Sequence, residues 1–230
     1  MPIYALTDEI EFPDPRNAEE HGIVAVGGDL TVERLLLAYT MGIFPWPIKG
    51  LPLTWFSPDP RMVLDLSQLR VSRSLRRSLR RGWTVTLDRA FELVMEACSN
   101  IPRGEEEGTW ITPEMTHAYA ELHRRGFAHS VEVWDVEGQL IGGAYGISLG
   151  NMFCGESMFH RETDASKVAF VTLARQLEAW GFEFLDCQLH TDHLESLGAC
   201  EISRDDYLGR LDASLGQPTR PGPWTLDAPT

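Results

Sequence analysis

The chain has 230 residues, of which 43% are hydrophobic, and a formal net charge of −14. This length and composition allow one well-packed core, or a core with a small satellite. No run approaches the roughly 18 consecutive apolar residues that a membrane-spanning helix needs, so we expect no membrane segment. The first residues, MPIYALTDEIEF, lack the basic region of a secretory signal.

Cysteine and histidine give no metal-binding pattern. The cysteines show no CxxC pair, which predicts reduced and mostly buried thiols in a cytosolic protein: Cys98, Cys154, Cys187 and Cys200. His190 and His193 follow a predicted strand, and no cysteine or acidic cluster completes a ligand set. We therefore predict no metal and no cofactor.

Positive charge is concentrated in one segment. Six arginines lie within twelve residues that contain no acid: Arg70, Arg73, Arg76, Arg77, Arg80 and Arg81. A local basic cluster in an acidic chain suggests one anionic partner that docks at one place. A solvated basic helix face is an equally good explanation at this level.

The first sixty residues are rich in glycine, proline and aromatic residues. Thr31 is expected to cap a helix that Gly42 ends. The apolar positions of this helix are Leu35, Leu36, Ala38 and Tyr39. Pro58 and Pro60 exclude a helix in SPDPR, which therefore reads as a hinge between two lobes.

The remainder alternates helix and strand signals. In chain order we first expect a helix over 72–81, a strand over 83–87, a helix capped by Asp88 and running to Cys98, a charged loop over 100–108 and a helix over 112–125. A strand over 129–134, a turn over 135–138 and a strand over 139–149 should follow, and then a short strand over 152–154. The last predicted elements are a helix capped by Asp164 and running to Trp180, a strand over 182–188 and a helix over 204–215.

An antiparallel hairpin followed by a helix and a strand is typical of acetyltransferase-like folds. The predicted fold class is therefore α+β. We expect a small N-terminal α/β domain over residues 1–62. Residues 63–230 should form an acetyltransferase-like (GNAT-type) catalytic domain, with a mixed sheet flanked by helices.

Two short motifs carry candidate chemistry. In the predicted strand EFLDCQ, Asp186 and Gln188 share a face and Cys187 points the other way. A carboxylate beside an amide can hold an ammonium group, although a polar strand end is the commoner explanation. Glu156 lies in the apolar run FCGESMF, where it could attract a cationic substrate or pair with an arginine or Lys167.

Tryptophans and glycines give weaker signals. Trp46, Trp55 and Trp110 could stack on a nucleic-acid base, although most tryptophans are simply core residues. The segment QLIGGA has a weak likeness to the glycine signature of acetyl-CoA enzymes. It continues into a strand instead of opening a helix, which argues against a coenzyme A site.

Longer blocks show a specific resemblance. Seven blocks between about Gly22 and Leu211 resemble the leucyl/phenylalanyl-tRNA–protein transferase family. They are GGDLTVERLLLAYTMGIFPW, WFSPDPR, GTWIT, AHSVEVW, FCGESMFHRETDASKVAF, LDCQLHTDHLESLGACEI and SRDDYL. The resemblance implies a bacterial cytoplasmic enzyme. It implies transfer of Leu or Phe, and weakly Met, from Leu-tRNA or Phe-tRNA to acceptor proteins with N-terminal Arg or Lys, which marks them for degradation. We expect a monomer, because no second interaction patch is evident.

The resemblance also assigns residues to the tRNA. Trp46 and Trp110 would hold its 3′-terminal adenosine, together with the site tyrosines Tyr39 and Tyr119. The acceptor stem would lie on the basic segment, where the i, i+3, i+4, i+7 spacing makes one helix face: Arg73, Arg76, Arg77 and Arg80.

The polar centre implied by the resemblance consists of Glu156, Asp186 and Gln188. Because the aminoacyl ester is already activated, the enzyme needs only to orient an amine and stabilise the oxyanion. Asp186 and Gln188 would position the amine, with Asp186 either a base or only an orienting group, and Glu156 would select the basic acceptor. The Leu or Phe side chain would occupy a pocket formed by Ala144, Phe153, Met158, Phe170, Leu173 and Leu185.

The chain departs from the family pattern at several positions. Thr191 replaces a usual Asn after DCQ, which puts that residue's role in substrate orientation in doubt. Ala144 replaces a methionine and should leave the pocket roomier. Phe170 stands where the family has a Leu, and Leu173 stands where it has a Phe, so the total side-chain volume is conserved.

Three other functions remain open at this level. An acyl-CoA-dependent N-acetyltransferase would need a helix-opening glycine loop. Another tRNA-dependent peptidyltransferase, with a lipid-linked acceptor, should present a basic or apolar membrane-facing surface. A non-catalytic tRNA-binding module would explain the arginines and tryptophans but not the polar centre.

Overall fold

The computed structural model describes residues 3–48, 50–101 and 109–227. Its strands are β1 (Tyr4–Leu6), β2 (Ile23–Gly27), β3 (Phe44–Pro45), β4 (Thr54–Phe56), β5 (Arg61–Asp65), β6 (Thr84–Leu87), β7 (Ala128–Trp134), β8 (Leu140–Leu149), β9 (Met152–His160), β10 (Phe184–Gln188) and β11 (Cys200–Ile202). Its α-helices are α1 (Val32–Thr40), α2 (Arg73–Ser78), α3 (Phe91–Ser99), α4 (Pro113–Arg124), α5 (Ala165–Ala179), α6 (Asp192–Ser196) and α7 (Arg204–Leu215).

The smaller sheet has the strand order β1-β2-β4-β3, with β1 parallel to β2 and the other pairs antiparallel. Helix α1 begins where the sequence predicts, because the Thr31 side chain accepts a hydrogen bond from the Arg34 N–H at 3.4 Å. Gly42 follows the helix with a φ of 72°. Trp55 is fully buried and donates from Nε1 to the Gly27 carbonyl at 2.9 Å.

The larger sheet has the order β11-β5-β10-β9-β8-β7-β6. Strand β10 runs parallel to β9, and the other neighbours are antiparallel. Along β8 the side chains alternate between two core clusters: Tyr145 and Ile147 belong to the cluster that includes α3 and α4, and Ala144 to the cluster that includes α5. Helices thus cover both faces, and the hairpin β8–β9, helix α5 and strand β10 follow the expected order. The α+β fold class is confirmed.

The N-terminal part and the larger sheet share a core. One cluster of buried residues joins Phe44 and Trp55 from the smaller sheet to Tyr119 of α4 and Tyr207 of α7. The boundary between residues 1–62 and 63–230 stays a prediction. Among the described helices, none combines the length and apolar composition needed to cross a bilayer.

Asp88 does not cap a helix. Helix α3 begins after Ala90, and Asp88 instead adopts a φ of 54°. Its carboxylate accepts hydrogen bonds from His129 Nδ1 at 2.8 Å, from the Ser130 N–H at 2.9 Å and from the Trp224 N–H at 2.6 Å. Contacts with residues distant in sequence therefore replace the local cap.

Other element boundaries also differ from the predicted ones. The expected short strand 152–154 extends to His160 as β9, because it pairs with β8 along nearly its whole length. The arginine helix ends at Ser78, so Arg80 lies in the turn that follows it. Asp164 precedes α5 in a left-handed conformation without capping it. Most of the predicted loop 100–108 lies outside the described residues.

The close approach of β8 and β9 gives a stability prediction. A Cβ at Gly146 would lie 2.2 Å from the Cys154 carbonyl oxygen and 2.5 Å from the Phe153 ring. Gly146→Ala should therefore lower the free energy of unfolding by about 1–3 kcal/mol, measured by urea denaturation. Gly209→Ala is the control, because an exposed helical Cβ there meets nothing within 4 Å and should be neutral or stabilising. Equal stabilities of the two variants would contradict the tight contact.

Candidate active site

A cavity of about 690 Å³ opens beside β9, β10 and α5. Each residue of the predicted amino-acid pocket lines it: Ala144, Phe153, Met158, Phe170, Leu173 and Leu185. Trp46, Glu156 and Gln188 line the same cavity. The structure thus brings the predicted apolar pocket together with two of the three predicted polar residues.

Glu156 is a carboxylate that lines this cavity. Its Oε1 accepts hydrogen bonds from the Tyr39 hydroxyl at 2.8 Å and from Gln188 Nε2 at 2.9 Å. Its Oε2 accepts one from the Tyr119 hydroxyl at 3.1 Å. Burial raises the pKa of Glu156 to about 7, although the tyrosine hydrogen bonds act in the opposite direction. The group can therefore exist in either protonation state near neutral pH.

Asp186 has a different environment. It is completely buried and does not line the cavity. Arg61 binds it through two contacts, Nε to Oδ1 at 2.9 Å and Nη2 to Oδ2 at 2.6 Å, and the Tyr207 hydroxyl donates to Oδ2 at 2.8 Å. Burial raises the pKa of Asp186, but the attraction of the Arg61 guanidinium outweighs it and holds the pKa below its usual value. Asp186 is therefore an ionised, fully paired carboxylate.

The end of β10 is irregular, because the pairing register shifts between Asp186 and Gln188 and Gln188 has a φ of 63°. Asp186 Oδ2 and Gln188 Nε2 nevertheless both lie 3.3 Å from the Cys154 sulfur, whereas Cys187 packs in the core cluster that includes α5. This agrees with the prediction that Asp186 and Gln188 share a face opposite Cys187. Gln188 lines the cavity, while Asp186 points to Arg61. The Gln188 N–H donates to Asp186 Oδ1 at 2.9 Å, so Asp186 stabilises this unusual backbone.

Three residues of this network were missed by sequence reasoning: Arg61, Tyr207 and Cys154. Arg61 lies 125 positions before Asp186, so no local spacing connects them. The Cys154 sulfur lies 3.3 Å from Asp186 Oδ2 and 3.5 Å from Glu156 Oε1, between the two carboxylates. The available signal was that SPDPR, SRDDYL and FCGESMF each belong to a block of the family resemblance.

The aromatic residues divide into two groups. Trp46 and Trp110 stack with ring centroids 5.1 Å apart and an interplanar angle of 11°. Tyr39 and Tyr119 are buried, and their hydroxyls bind each other and Glu156. The tyrosines therefore orient Glu156, whereas Trp46 presents its ring to the cavity.

The predicted stem-binding arginines all reach solvent. Arg73, Arg76 and Arg77 lie on α2 and Arg80 follows it, and the four are exposed. None of them forms a salt bridge with an acidic side chain in the described part of the chain. Their charge is available to an anionic partner.

The segment that follows β10 lines the cavity with His190, Thr191, His193 and Leu194. Thr191 lines it and caps α6 by accepting from the Leu194 N–H at 3.2 Å. The ligand atoms of His190, Asp192 and Glu195 lie within 4.8 Å of one another, so acidic groups do accompany one of the histidines, contrary to the sequence expectation. All three are exposed, and exposed acidic groups are common without an ion. The absence of a metal stays a prediction.

The fold is mixed α/β, and its cavity joins an apolar wall to a carboxylate and an amide. The profile "Leucyl/phenylalanyl-tRNA protein transferase" matches residues 63–212, and the profile of that family's N-terminal domain matches residues 28–59. The chain belongs to the leucyl/phenylalanyl-tRNA–protein transferase family. It is an enzyme that transfers an amino acid from aminoacyl-tRNA to protein N-termini, and the alternative functions are not favoured.

Relatives match along the whole chain. The leucyl/phenylalanyl-tRNA–protein transferase of Myxococcus xanthus (strain DK1622) is 54% identical over 231 residues, covering 99% of this chain and 98% of the relative. That of Anaeromyxobacter sp. (strain Fw109-5) is 54% identical over 229 residues, covering 99% and 97%. The L-PGS structure from Bacillus licheniformis covers 70% of this chain and 51% of its own at 15% identity, with a TM-score of 0.39, too low to argue from.

The buried ion pair gives a prediction that separates stability from activity. Asp186→Ala leaves Arg61 buried without its partner and should cost about 3–5 kcal/mol of unfolding free energy, measured by urea denaturation. The double variant Arg61→Met, Asp186→Ala removes both charges and should recover most of that loss. Its transfer rate should stay low, because the Gln188 N–H has lost its acceptor. Full activity in the stable double variant would remove Asp186 from substrate positioning.

Proposed function

We propose that the 690 Å³ cavity binds the Leu or Phe side chain of aminoacyl-tRNA and that the acceptors are proteins with N-terminal Arg or Lys. The observation that carries this proposal is the junction of an apolar cavity with Glu156 and Gln188, where an acyl group and a cationic acceptor can meet. The reaction takes place in the cytoplasm, marks the acceptor for degradation and needs only a monomer. Residues 1–62 form the N-terminal domain, and residues 63–230 the catalytic one.

The cavity favours a substrate amino acid whose side chain is not branched at Cβ. Phe153, Phe170 and Leu185 line it with broad apolar surfaces that suit a γ-branched or aromatic side chain. A β-branched Ile or Val has a restricted χ1 and a wider base, so it fits worse. Discrimination of this kind is worth only about 1–3 kcal/mol, which leaves Met as a weaker substrate. Ala144 widens the pocket where the family has a methionine.

The polar residues orient the reactants. The α-amine attacks the ester carbonyl, the C–N bond forms, and the C–O bond to the ribose breaks. Gln188 Nε2 and the Tyr39 and Tyr119 hydroxyls converge on Glu156 and hold it beside the ester. The amine attacks in its neutral form, and the proton that it loses goes to the departing ribose oxygen. Asp186 acts as a positioning residue; its burial supports an orienting role over a basic one.

The acceptor and the tRNA are recognised by opposite charges. Glu156 attracts the cationic side chain of an N-terminal Arg or Lys. Trp46, backed by Trp110, offers a ring face to the terminal adenosine. The acceptor stem lies on the exposed arginines of α2 and the following turn, Arg73, Arg76, Arg77 and Arg80.

One assay tests this function. The chain is incubated with radiolabelled Leu-tRNA and a peptide that begins with Arg, and label on the peptide is measured. We expect labelling of Arg- and Lys-starting peptides. The same peptide with an acetylated N-terminus should stay unlabelled, because its amine cannot attack. Equal labelling of a Glu-starting peptide would contradict selection of basic acceptors, and labelling from acetyl-CoA would favour an N-acetyltransferase.

The raised pKa of Glu156 predicts the pH profile. Below a pKa of about 7 the side chain becomes protonated and loses its attraction for a cation, so the transfer rate to an Arg-starting peptide should fall as the pH drops through 7. In Glu156→Gln this inflection should disappear, leaving a slower reaction that follows the α-amine alone, with its pKa of about 7.7–8.0. An unchanged inflection near pH 7 in the variant would assign it to another group.

A further inference from the structure

A second, smaller cavity of about 110 Å³ lies where α2 begins beside α5. Its polar lining consists of two cations, three hydroxyls and one carboxylate: Arg70, Lys167, Ser72, Ser74, Ser196 and Asp164. This volume has room for a tetrahedral oxyanion.

The charge balance of this cavity favours an anion. Asp164 is its single acidic lining residue among those described, and that carboxylate already accepts from the Ser78 hydroxyl at 2.9 Å and pairs with Lys167 Nζ at 3.4 Å. Arg70 is exposed and forms no salt bridge with a described acidic side chain. The lining therefore carries a net charge of +1 and an uncommitted guanidinium.

The hydroxyls add a donor. Ser72 Oγ and Ser74 Oγ lie 2.9 Å apart, and Ser72 Oγ also accepts from the Leu75 N–H at 3.2 Å. Whichever serine donates to the other, one hydroxyl proton of the pair remains for a ligand. Ser196 donates to the His193 carbonyl and contributes its oxygen only to the wall.

The position of the cavity indicates which anion it binds. Asp164 and Lys167 line both this cavity and the 690 Å³ cavity. Ser72 caps α2, the helix that begins the arginine face. The small cavity thus lies between the surface proposed for the acceptor stem and the cavity proposed for the aminoacyl group. The single-stranded 3′ end of the tRNA has to connect those two places, and its backbone carries a phosphate at every step.

We propose that Arg70 and Lys167 bind a backbone phosphate of the single-stranded 3′ end of aminoacyl-tRNA in this small cavity. The inference rests on the proposed function and deepens it. Phosphate contacts fix the register of a nucleic acid without reading its sequence. This phosphate contact holds the strand so that the ester arrives at Glu156 and Gln188.

The test compares donors with and without the phosphate. Arg70→Gln and Lys167→Gln are assayed with Leu-tRNA and with 3′-leucyl-adenosine, which has no backbone phosphate. We expect kcat/KM for Leu-tRNA to fall about tenfold in each variant, as for one hydrogen bond to a charged group. With leucyl-adenosine we expect no change in Arg70→Gln, because Arg70 lines the small cavity and not the 690 Å³ cavity. The slope of log kcat/KM against log salt should flatten by about 0.7. Arg175→Gln, an exposed arginine of α5 that lines neither cavity, is the matched control and should behave as the wild type.

A measurement of RNA binding tests this inference independently of the proposed function. A deacylated CCA-ended stem–loop RNA is titrated against the wild type, both Gln variants and Arg70→Lys, which keeps the charge. Weaker binding by the Gln variants, with partial rescue in Arg70→Lys, supports the phosphate contact whether or not label is transferred. Equal binding, or an equal kinetic loss of Arg70→Gln with leucyl-adenosine, overturns it. Failure of the wild type to label any peptide defeats the proposed function and leaves the binding result to decide this inference.

Discussion

The active-site architecture depends on the buried pair Arg61–Asp186. It joins β5 to β10 and ties both to α7 through Tyr207. Two buried charges are expensive to desolvate, and the cost is offset here by bidentate geometry, by the Tyr207 hydrogen bond and by the Phe44 and Tyr207 rings, which lie 4.8 and 4.4 Å from the guanidinium carbon. Because Asp186 is held in this way, it can accept from the Gln188 N–H and fix the backbone that turns Gln188 into the cavity.

The two carboxylates of the site differ because their partners differ. Asp186 faces a guanidinium that holds its pKa below the usual value, whereas Glu156 accepts hydrogen bonds from neutral donors and burial raises its pKa to about 7. Cys154 and Gln188 lie between them. Such a separation of pKa values lets one acid group serve structure while its neighbour handles a proton or a cation. The apolar wall beside Glu156 raises its pKa and also forms the proposed side-chain pocket.

Local signals predicted the helices best. Thr31 caps α1 as predicted, and Thr112 and Ser203 likewise accept from an N–H in the first turn of α4 and α7. The strands of the smaller sheet, β5 and β11 were not predicted, because strands of two to five residues carry little periodicity. At Asp88 a local signal predicted a helix cap that does not form, because the Asp88 carboxylate binds His129, Ser130 and Trp224 instead.

By itself the sequence determined the fold class, the family and the residues of the apolar pocket, since these follow from local periodicity and from long motif blocks. Only the tertiary structure decided which residues meet. Strand alternation placed Asp186 and Gln188 on one face, but an arginine 125 positions away holds the Asp186 carboxylate in the core and out of the cavity. Likewise, the stacking of Trp46 on Trp110 and the small cavity between α2 and α5 require segments far apart in the chain to converge. The physical reason is that side-chain direction and pKa depend on packing and charge from other elements, which no spacing within one motif encodes.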